Sequence, residues 1–363
     1  KAIIRMLSVA QQELVAIGKT ILQNAKLVIF DEPTALLTND ETEQLFKIIK
    51  QLKNDGVGIL YVSHRLEEIF SICDRVTVLK DGALAGTVMI NETTEDQLIA
   101  MMVGRNVEHM YQIQHQVPGD VILKVDNIAR GKAFSDISFE VKKGEIFGMF
   151  GLVGSGRTEI VRSIFGADAK DSGTVTFYGQ KADYVRPYQG IRAGIALLPE
   201  NRRSQGLALG LSVSDNINMV ALDRVSKFGV VDNQESMRIA QTSCDKLRIK
   251  TPSVYQRVKN LSGGNQQKVV ISKWLEQDSD LFIFDEPTVG VDVGAKLEIY
   301  RIFETLLKEG KTIIMISSYL PEIMGLSDRI LIMYEGKQTG ILTREDFQEE
   351  RILRLASGLK EKE

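Results

Sequence analysis

The sequence has few cysteines, no long apolar run and almost no excess of either charge. Cys73 and Cys244 are isolated and form no C-x-x-C pair, so the sequence predicts reduced core residues rather than a metal or redox site. The longest apolar runs, such as residues 281–284, are far shorter than the ~20 residues that span a bilayer. The 45 basic and 48 acidic residues are intermixed and give a net charge of −3, which indicates no nucleic-acid partner.

An internal repeat is the main feature that the sequence does contain. A shift of 254 residues, without any gap, places Leu7-Ser8 on Leu261-Ser262 and Asp31-Glu32-Pro33-Thr34 on Asp285-Glu286-Pro287-Thr288. Self-similarity at one fixed offset predicts two copies of one domain. Only the second copy is preceded by a further long segment, so we predict a C-terminal part of a first domain over 1–103, a linker over 104–120 and a complete domain over 121–363.

The predicted linker is polar and shows no periodicity, and its His109 and His115 are expected to be solvated. On either side of it, continuous apolar strands alternate with amphipathic helices. In the first copy the strands are residues 27–30 and 58–63, and this pattern predicts a parallel sheet covered on both faces. Because the sequence holds no first-copy counterpart of the later strand at 146–150, we also expect exposed apolar surface in residues 1–100.

A glycine-rich loop follows the strand at 146–150 and precedes a predicted helix. In such a loop the glycines let backbone N–H groups converge on phosphate oxygens, and the helix N-terminus adds partial positive charge. The usual lysine is replaced by Arg157, whose planar guanidinium is not equivalent to a compact ammonium. A tight structural turn is the alternative; the phosphate-binding reading assigns Gly151, Gly154, Ser155, Gly156, Arg157 and Thr158.

Two acidic residues end a buried strand in each copy: Asp31-Glu32 in the first and Asp285-Glu286 in the second. The carboxyl ends of parallel strands are where α/β sheets bind ligands. We expect Asp285 to hold Mg²⁺ together with the Thr158 hydroxyl, and Glu286 to polarise an attacking water. Asp31 and Glu32 are expected to take the same parts in the first copy.

The string Leu261-Ser262-Gly263-Gly264-Asn265-Gln266-Gln267 precedes a predicted helix, which Ser262 is suited to cap. By itself it predicts no more than a capping turn. Placed 23 residues before Asp285, it resembles the signature of the ATP-binding-cassette ATPases. The resemblance covers essentially the whole chain. It implies an α/β P-loop NTPase fold, with a RecA-like core, an antiparallel β-subdomain and a helical signature subdomain, in one complete cassette plus the C-terminal part of another.

In that family two cassettes face each other, and each ATP lies between one phosphate loop and the opposite signature turn. The resemblance implies one site built from the loop, Asp285 and Glu286 with Ser8 as its signature residue. The other would use Ser262, Gly263 and Gly264 with Asp31, Glu32 and His64, where His64 matches the family's histidine that contacts the γ-phosphate. Four departures weaken the first of these sites: Arg157 for Lys, Glu200 for Gln, Ser318 for His, and Val9-Ala10 for two glycines.

Within the family, the chain resembles ATP-binding subunits of bacterial monosaccharide importers of the ribose and galactose group. The strings that carry this are Met101-Met102-Val103-Gly104-Arg105, Pro199-Glu200-Asn201-Arg202-Arg203 and Gly290-Val291-Asp292-Val293-Gly294-Ala295-Lys296. It implies ATP and Mg²⁺ as cofactors, and ATP hydrolysis coupled to import. The implied partners are integral membrane permease subunits, a second cassette or copy of the chain and, indirectly, a periplasmic or extracellular sugar-binding protein. The implied location is peripheral, at the cytoplasmic face of the bacterial inner membrane.

Ribose is favoured over galactose as the transported sugar. Two alternative functions, and one question about Arg202 and Arg203, stay open at this point. A nucleoside importer shares fused degenerate cassettes, and a non-catalytic regulatory module would bind nucleotide without turnover. Arg202 and Arg203 are either a solvated pair or a surface that faces membrane subunits. Because the sequence has one phosphate loop for two signature turns, we expect the chain alone to be a weak or inactive ATPase.

Overall fold

The structure is a computed structural model that describes residues 4, 12, 15–19, 25–34, 37, 39–63, 65–80, 82–103, 111, 113–152, 154–291 and 293–359. The chain divides into two compact units, one of residues 1–109 with 292–294 and one of residues 110–291 with 295–363. Within the described ranges, no helix is both long enough and apolar enough to cross a membrane.

The first unit is a small α/β arrangement in which strand and helix alternate. Its described elements are β1 (Leu27–Asp31), α1 (Asn39–Asn54), β2 (Gly58–Val62), α2 (Leu66–Ile72), β3 (Arg75–Lys80), β4 (Ala83–Met89) and α3 (Glu95–Val103). β1 and β2 pair in parallel, with Leu27 opposite Gly58, and β3 and β4 form an antiparallel hairpin. The predicted strands at 27–30 and 58–63 are therefore confirmed to within one residue.

Only one face of the β1–β2 pair is covered. Val28 and Phe30 are buried in a core with residues of α1, whereas the alternate side chains on both strands are exposed. The exposed fractions are 59% for Leu27, 61% for Ile29, 52% for Leu60 and 44% for Val62. The expected apolar surface is confirmed, and the prediction of a sheet covered on both faces is wrong for this copy.

The second unit contains a large mixed sheet. Its strands are β5 (Val121–Arg130), β6 (Phe134–Lys142), β7 (Ile146–Gly151), β8 (Ser172–Phe177), β9 (Gln180–Lys181), β10 (Ile195–Leu198), β11 (Ser226–Lys227), β12 (Val230–Val231), β13 (Leu281–Asp285), β14 (Thr312–Ile316), β15 (Arg329–Tyr334) and β16 (Lys337–Thr343). Its helices are α4 (Arg157–Phe165), α5 (Pro187–Arg192), α6 (Val213–Asn218), α7 (Leu222–Val225), α8 (Asn233–Lys246), α9 (Gly263–Leu275), α10 (Val293–Lys308), α11 (Leu320–Leu326) and α12 (Glu349–Ala356).

Ten of these strands form one sheet in the order β10-β13-β14-β7-β15-β16-β6-β5-β8-β9. The five strands from β10 to β15 are parallel, and β5, β6, β8 and β9 are antiparallel. Every residue of β7, β13 and β14 is buried, which is typical of parallel strands covered on both faces. Helix α6 packs against α8 and α9, so the region between β10 and β13 is mainly helical, as predicted. The small antiparallel hairpin β11–β12 within it was not predicted.

The described end of the predicted linker packs onto the second unit. The Tyr111 and Tyr300 rings lie 5.7 Å apart, and Ile113 is buried. His115 Nδ1 lies 2.7 Å from Asp328 Oδ1, and only 21% of the His115 side chain is exposed. The expectation of a solvated His115 is therefore wrong, because the ring is largely buried beside the carboxylate of Asp328, which immediately precedes β15. His109 lies outside the described residues.

Candidate nucleotide-binding site

The glycine-rich loop lies between β7, which ends at Gly151, and α4, which begins at Arg157. A Cβ atom on Gly151 would lie 2.4 Å from the Met333 carbonyl oxygen. Gly156 has φ 93°, and its Cβ would lie 2.6 Å from the Ala133 carbonyl oxygen. Only glycine fits both positions. The chain therefore reaches the first turn of α4 by a close backbone path, and the unpaired N–H groups of that turn favour an anion.

The side chain of Ser155 adds a polar group to this loop. Ser155 is 3% exposed, and its hydroxyl has no hydrogen-bond partner among the described residues. An orphaned buried hydroxyl costs free energy unless a ligand or water pairs with it. A phosphate oxygen in the loop would provide such a partner.

The Thr158 hydroxyl, in the first turn of α4, donates to Asp285 Oδ2 at 2.8 Å. Asp285 is 2% exposed, and its Oδ1 has no hydrogen-bond partner in the described part of the chain. Burial, together with the charges of Glu200 and Glu286, raises the pKa of Asp285 to about 7. One carboxylate beside a hydroxyl fits Mg²⁺, which takes few protein oxygens and completes its shell with phosphate and water. No group of three or more His, Cys, Asp or Glu suited to a metal occurs among the described residues.

Glu286 lies next to this pair and is itself 9% exposed. Its Oε1 lies 3.5 Å from Arg157 Nη1, and its Oε2 accepts a hydrogen bond from the Ser318 hydroxyl at 3.2 Å. Burial raises the pKa of Glu286, and the Arg157 guanidinium opposes that rise. Arg157 Nη1 also donates to the Ser317 carbonyl at 3.0 Å. The guanidinium that stands in place of the usual lysine therefore contacts the carboxylate of its own cassette.

The two glutamates that follow the strand-end aspartates share an uncommon backbone conformation. Glu32 has φ 46° and Glu286 has φ 47°, both in the left-handed region. Each is held by a hydrogen bond from its N–H to the neighbouring strand, to Val62 O at 2.9 Å and to Ile316 O at 3.0 Å. Such positions cost about 1–3 kcal/mol and cluster at functional sites.

The signature turn differs from the expectation in one respect. Ser262 occupies the N-cap position of α9, but its side chain makes no capping hydrogen bond. Its hydroxyl instead accepts from the Asn265 side chain at 2.9 Å. The predicted N-cap position of Ser262 is therefore confirmed, but its hydroxyl accepts from the Asn265 side chain and makes no capping hydrogen bond.

Arg202 connects this turn to the loop after Glu286. Its guanidinium donates to Val289 O at 3.1 Å and to Gly290 O at 3.3 Å. A Cβ atom on Gly263 would lie 2.8 Å from Arg202 Nη2. Of the two alternatives left open for Arg202, a fully solvated side chain is wrong, since it makes two intramolecular hydrogen bonds.

The other predicted residues are placed as follows. Glu200 is exposed just after β10, and Gly264 is half-buried in the first turn of α9. Asp31 and Glu32 are exposed at the end of β1. Ser8 and His64 lie outside the described residues. Within the second unit, the structure thus brings together the glycine loop, Asp285 and Glu286.

Two residues that make buried polar contacts were not predicted from the sequence. Ser317 and Glu322 lie behind Glu286 and are hydrogen-bonded to each other. The repeat held a signal for them, since Ser63 and Glu68 stand 254 residues earlier in the first copy. A serine and a glutamate have no fixed function by type, so the pattern alone did not single them out.

A glycine loop after β7, a hydroxyl in the first turn of α4 and an acidic pair after β13 define a P-loop nucleotide-binding cassette. A profile of the ABC transporter family matches residues 134–289. The Bacillus cereus "Ribose import ATP-binding protein RbsA" is 46% identical over 97% of this chain and 71% of its own length. A "Putative ribose/galactose/methyl galactoside import ATP-binding protein" of Albidiferax ferrireducens is 48% identical over 97% of this chain and 70% of its own length. The chain therefore belongs to the ABC transporter family.

Solved structures support the fold. A nucleotide-free ATP-binding cassette from an ABC transporter aligns with a TM-score of 0.55 and 22% identity, over 66% of this chain and 96% of that one. A dimeric ATP-binding cassette in a post-hydrolysis state bound to ADP and Pi aligns with a TM-score of 0.55 and 19% identity, over 62% of this chain and all of that one. The predicted fold class is confirmed.

Proposed function

We propose that the chain is the ATP-binding and ATP-hydrolysing subunit that energises import of a monosaccharide, with ribose favoured over galactose. The names of relatives that match nearly the whole chain support this activity. The observation that carries it is the Thr158–Asp285 hydrogen bond at 2.8 Å beside the glycine loop. That arrangement holds a hydroxyl and a buried carboxylate where nucleotide-bound Mg²⁺ is expected.

Each predicted site residue of the second unit has a proposed role in binding or hydrolysing the nucleotide. The loop residues Gly151 to Thr158 bind phosphate through backbone N–H groups, and Arg157 supplies positive charge. Thr158 and Asp285 hold Mg²⁺, which when bound neutralises charge on the phosphates. Glu286 accepts a proton or a hydrogen bond from the attacking water. Glu200 contributes negative charge close to Asp285.

The two composite sites are proposed to be unequal. Asp31, Glu32 and His64 carry the residue types of a competent site and would work with the turn at Ser262, Gly263 and Gly264. That site needs a phosphate loop from a second cassette or another copy of the chain. The site at Gly151 to Thr158, with Ser8 opposite, is the weaker one. Its Arg157 stands in place of the usual lysine, and the Arg157 guanidinium lies 3.5 Å from the Glu286 carboxylate.

The proposed partners are integral membrane permease subunits, and a periplasmic or extracellular sugar-binding protein acts through them. The chain would lie peripherally at the cytoplasmic face of the bacterial inner membrane. Arg202 and Arg203 are near the surface that would meet the permease. No nucleic acid is involved.

Two observations favour a second candidate, a regulatory module that binds nucleotide without turnover. Ser318 stands where the first copy has His64, and Arg157 is engaged by Glu286 and by Ser317. Both features weaken hydrolysis at the second-unit site while leaving the phosphate loop intact.

Binding of Mg-ATP to the purified chain, measured by isothermal titration calorimetry, tests the assignment. Asp285→Asn and Thr158→Ala should each weaken Mg-ATP binding at least about tenfold, because the first removes the negative charge of the carboxylate and the second removes the hydroxyl oxygen. Asp74→Asn, at an exposed ion pair with Lys53 that belongs to neither proposed site, is the control and should bind as the unsubstituted chain does. ATP turnover by the chain alone should be small, and steady turnover that Asp285→Asn leaves intact would contradict the proposal.

A further inference from the structure

A buried glutamate lies behind the proposed site and accepts three hydroxyl hydrogen bonds. Glu322 is 0% exposed. Its Oε1 accepts from Tyr300 at 2.6 Å, and its Oε2 accepts from Ser317 at 2.5 Å and from Thr288 at 3.1 Å. Burial and the Glu322 charge raise the pKa of Tyr300, so its phenol stays a donor. A buried carboxylate is tolerated only when its oxygens are paired in this way.

Two of the three hydroxyl donors, Thr288 and Ser317, belong to the segments that carry or contact Glu286, and the third, Tyr300, lies on α10. Thr288 stands two residues after Glu286, and Ser317 immediately precedes Ser318, whose hydroxyl donates to Glu286. The carbonyl of Ser317 accepts from Arg157. The Glu322 carboxylate therefore joins the turn that carries Glu286 to the segment that follows β14. That segment contacts both side chains at Glu286, because it includes Ser318 and its Ser317 carbonyl accepts from Arg157.

The first unit contains a similar arrangement, in which one hydroxyl donor comes from a different element and Arg65 adds an ion pair at 3.0 Å. Glu68 is 4% exposed and lies 254 residues before Glu322. It accepts from Thr34 at 2.6 Å and from Ser63 at 2.9 Å, which are the counterparts of Thr288 and Ser317. Its third hydroxyl comes from Tyr61 on β2, at 2.8 Å, rather than from the helix before it.

This exchange of donors is compensated within the repeat. The helix position of Tyr300 is Phe46 in the first copy, and the strand position of Tyr61 is Met315 in the second. One tyrosine is present at one of two neighbouring positions in each unit. What the two units share is therefore a carboxylate with three hydroxyl donors, rather than any single side-chain pair.

We propose that Glu322 is a positioning residue that fixes the turn 286–288 against the strand end at Ser317, and so holds Arg157 and Ser318 at Glu286. Glu68 does the same for Glu32 in the first unit. This inference rests on the proposed nucleotide site. Because Glu286 is expected to act on the water that attacks the terminal phosphate, loosening the network should weaken binding of Mg-ATP more than binding of Mg-ADP.

The test compares the dissociation constants of Mg-ATP and Mg-ADP for the full chain, with thermal unfolding measured in parallel. Glu322→Gln keeps the side-chain volume but removes the charge and one acceptor oxygen. We expect its Mg-ATP dissociation constant to rise about five- to tenfold, and that of Mg-ADP to change by less than about twofold.

Thr312→Val is the matched control for lost stability. Thr312 is 0% exposed at the opposite end of β14, and its hydroxyl accepts from the Gly144 N–H at 3.0 Å. Replacing Thr312 with valine removes this buried hydrogen bond of β14 and leaves the hydrogen bonds of Glu322 in place. We expect a lower unfolding temperature and an unchanged ratio of the ATP and ADP dissociation constants.

Tyr300→Phe provides a second, milder variant, for which we expect the ratio to shift about threefold. The double variant Tyr300→Phe/Met315→Tyr rebuilds the donor arrangement of the first unit, and it should recover the unsubstituted ratio. Recovery would support a requirement for three hydroxyl donors. A folded double variant that does not recover would overturn it.

The remaining outcomes separate the two proposals. If the unsubstituted chain does not bind Mg-ATP, the nucleotide site fails and this inference with it. If the unsubstituted chain binds, but Glu322→Gln and Tyr300→Phe keep its ATP-to-ADP ratio, only the positioning role is overturned. The positioning role is also overturned if Glu322→Gln shifts the ratio of the ATP and ADP dissociation constants no more than Thr312→Val does at the same loss of stability.

Discussion

The strands β1 and β2 of the first unit correspond, residue by residue, to β13 and β14 of the second, yet their burial differs. Leu60 is 52% exposed, whereas Ile314, at the same position of the repeat, is 0% exposed. In the second unit β13 and β14 lie between β10 and β7. In the described part of the first unit, β1 and β2 pair only with each other. An apolar run thus makes a strand wherever it occurs, but its neighbours decide whether both faces are buried.

The geometry at the strand ends does not follow this difference in burial. Glu32 and Glu286 have φ values of 46° and 47°, and Glu68 and Glu322 each accept three hydroxyl hydrogen bonds. These features depend on one parallel strand pair and the helix that follows it, both of which each unit has. The two units therefore share the same local backbone geometry, although the described part of the first unit has only a two-stranded parallel sheet at this position.

The largest expected difference between the two units concerns a charge placed on the sheet. Ile314→Lys would bury an unpaired ammonium and should lower the free energy of unfolding of the second unit by more than about 3 kcal/mol. Leu60→Lys replaces an exposed side chain and should change stability by less than about 0.5 kcal/mol. Urea unfolding followed by circular dichroism measures both. A loss for Leu60→Lys as large as that for Ile314→Lys would show that this face is covered in solution.

A second difference depends on pH. Asp285 has its pKa raised by burial from 3.8 to about 7, so between these values the folded protein holds a proton that the unfolded chain has lost. Stability therefore falls as pH rises from about 4 to 7. Asp285→Asn removes this loss and should gain on the order of 2 kcal/mol over the unsubstituted chain at pH 8, but little near pH 4.

The control for this prediction is Asp31→Asn, at the equivalent, exposed position of the first unit. It should change the free energy of unfolding by less than about 0.5 kcal/mol at either pH. Urea unfolding at pH 4.5 and pH 8 in the presence of a chelator gives both values. Equal effects of the two substitutions would mean that burial does not control the difference.

The smallest expected difference concerns a second pair of equivalent aspartates. Asp328 accepts from the Ile146 N–H at 2.8 Å, one of its oxygens lies 2.7 Å from His115 Nδ1, and its side chain is 13% exposed. Asp74 pairs with Lys53 at 2.5 Å, but its side chain is 68% exposed. Asp328→Ala should cost about 1–2 kcal/mol, because it leaves a buried N–H unpaired.

Asp74→Ala should cost less than about 0.5 kcal/mol, since exposed ion pairs contribute little. Thermal unfolding of the two variants at the same pH and salt concentration makes the comparison. A cost for Asp74→Ala that matches the cost for Asp328→Ala would contradict it.

Several parts of the site could be predicted because they depend on residue type and spacing. The glycines at 151 and 156 are required by close backbone contacts, and an acidic pair after an apolar strand lies at the ligand-binding edge of a parallel sheet. Other parts could not be predicted. The Ser262 hydroxyl had two competing partners, and the contact of Arg157 with Glu286 depends on side chains 129 residues apart in sequence.

The sequence by itself determined the repeat, the strands, the glycine-rich loop and the acidic pairs, because each depends on local periodicity or on a short string of residues. The tertiary structure alone decided which strand faces are exposed, that His115 is largely buried beside Asp328, and that Glu322 and Glu68 join the segments around Glu286 and Glu32. Those properties depend on contacts between side chains that are far apart in the sequence and that folding brings together in an interior of low polarity. Contacts of that kind leave no period in the sequence.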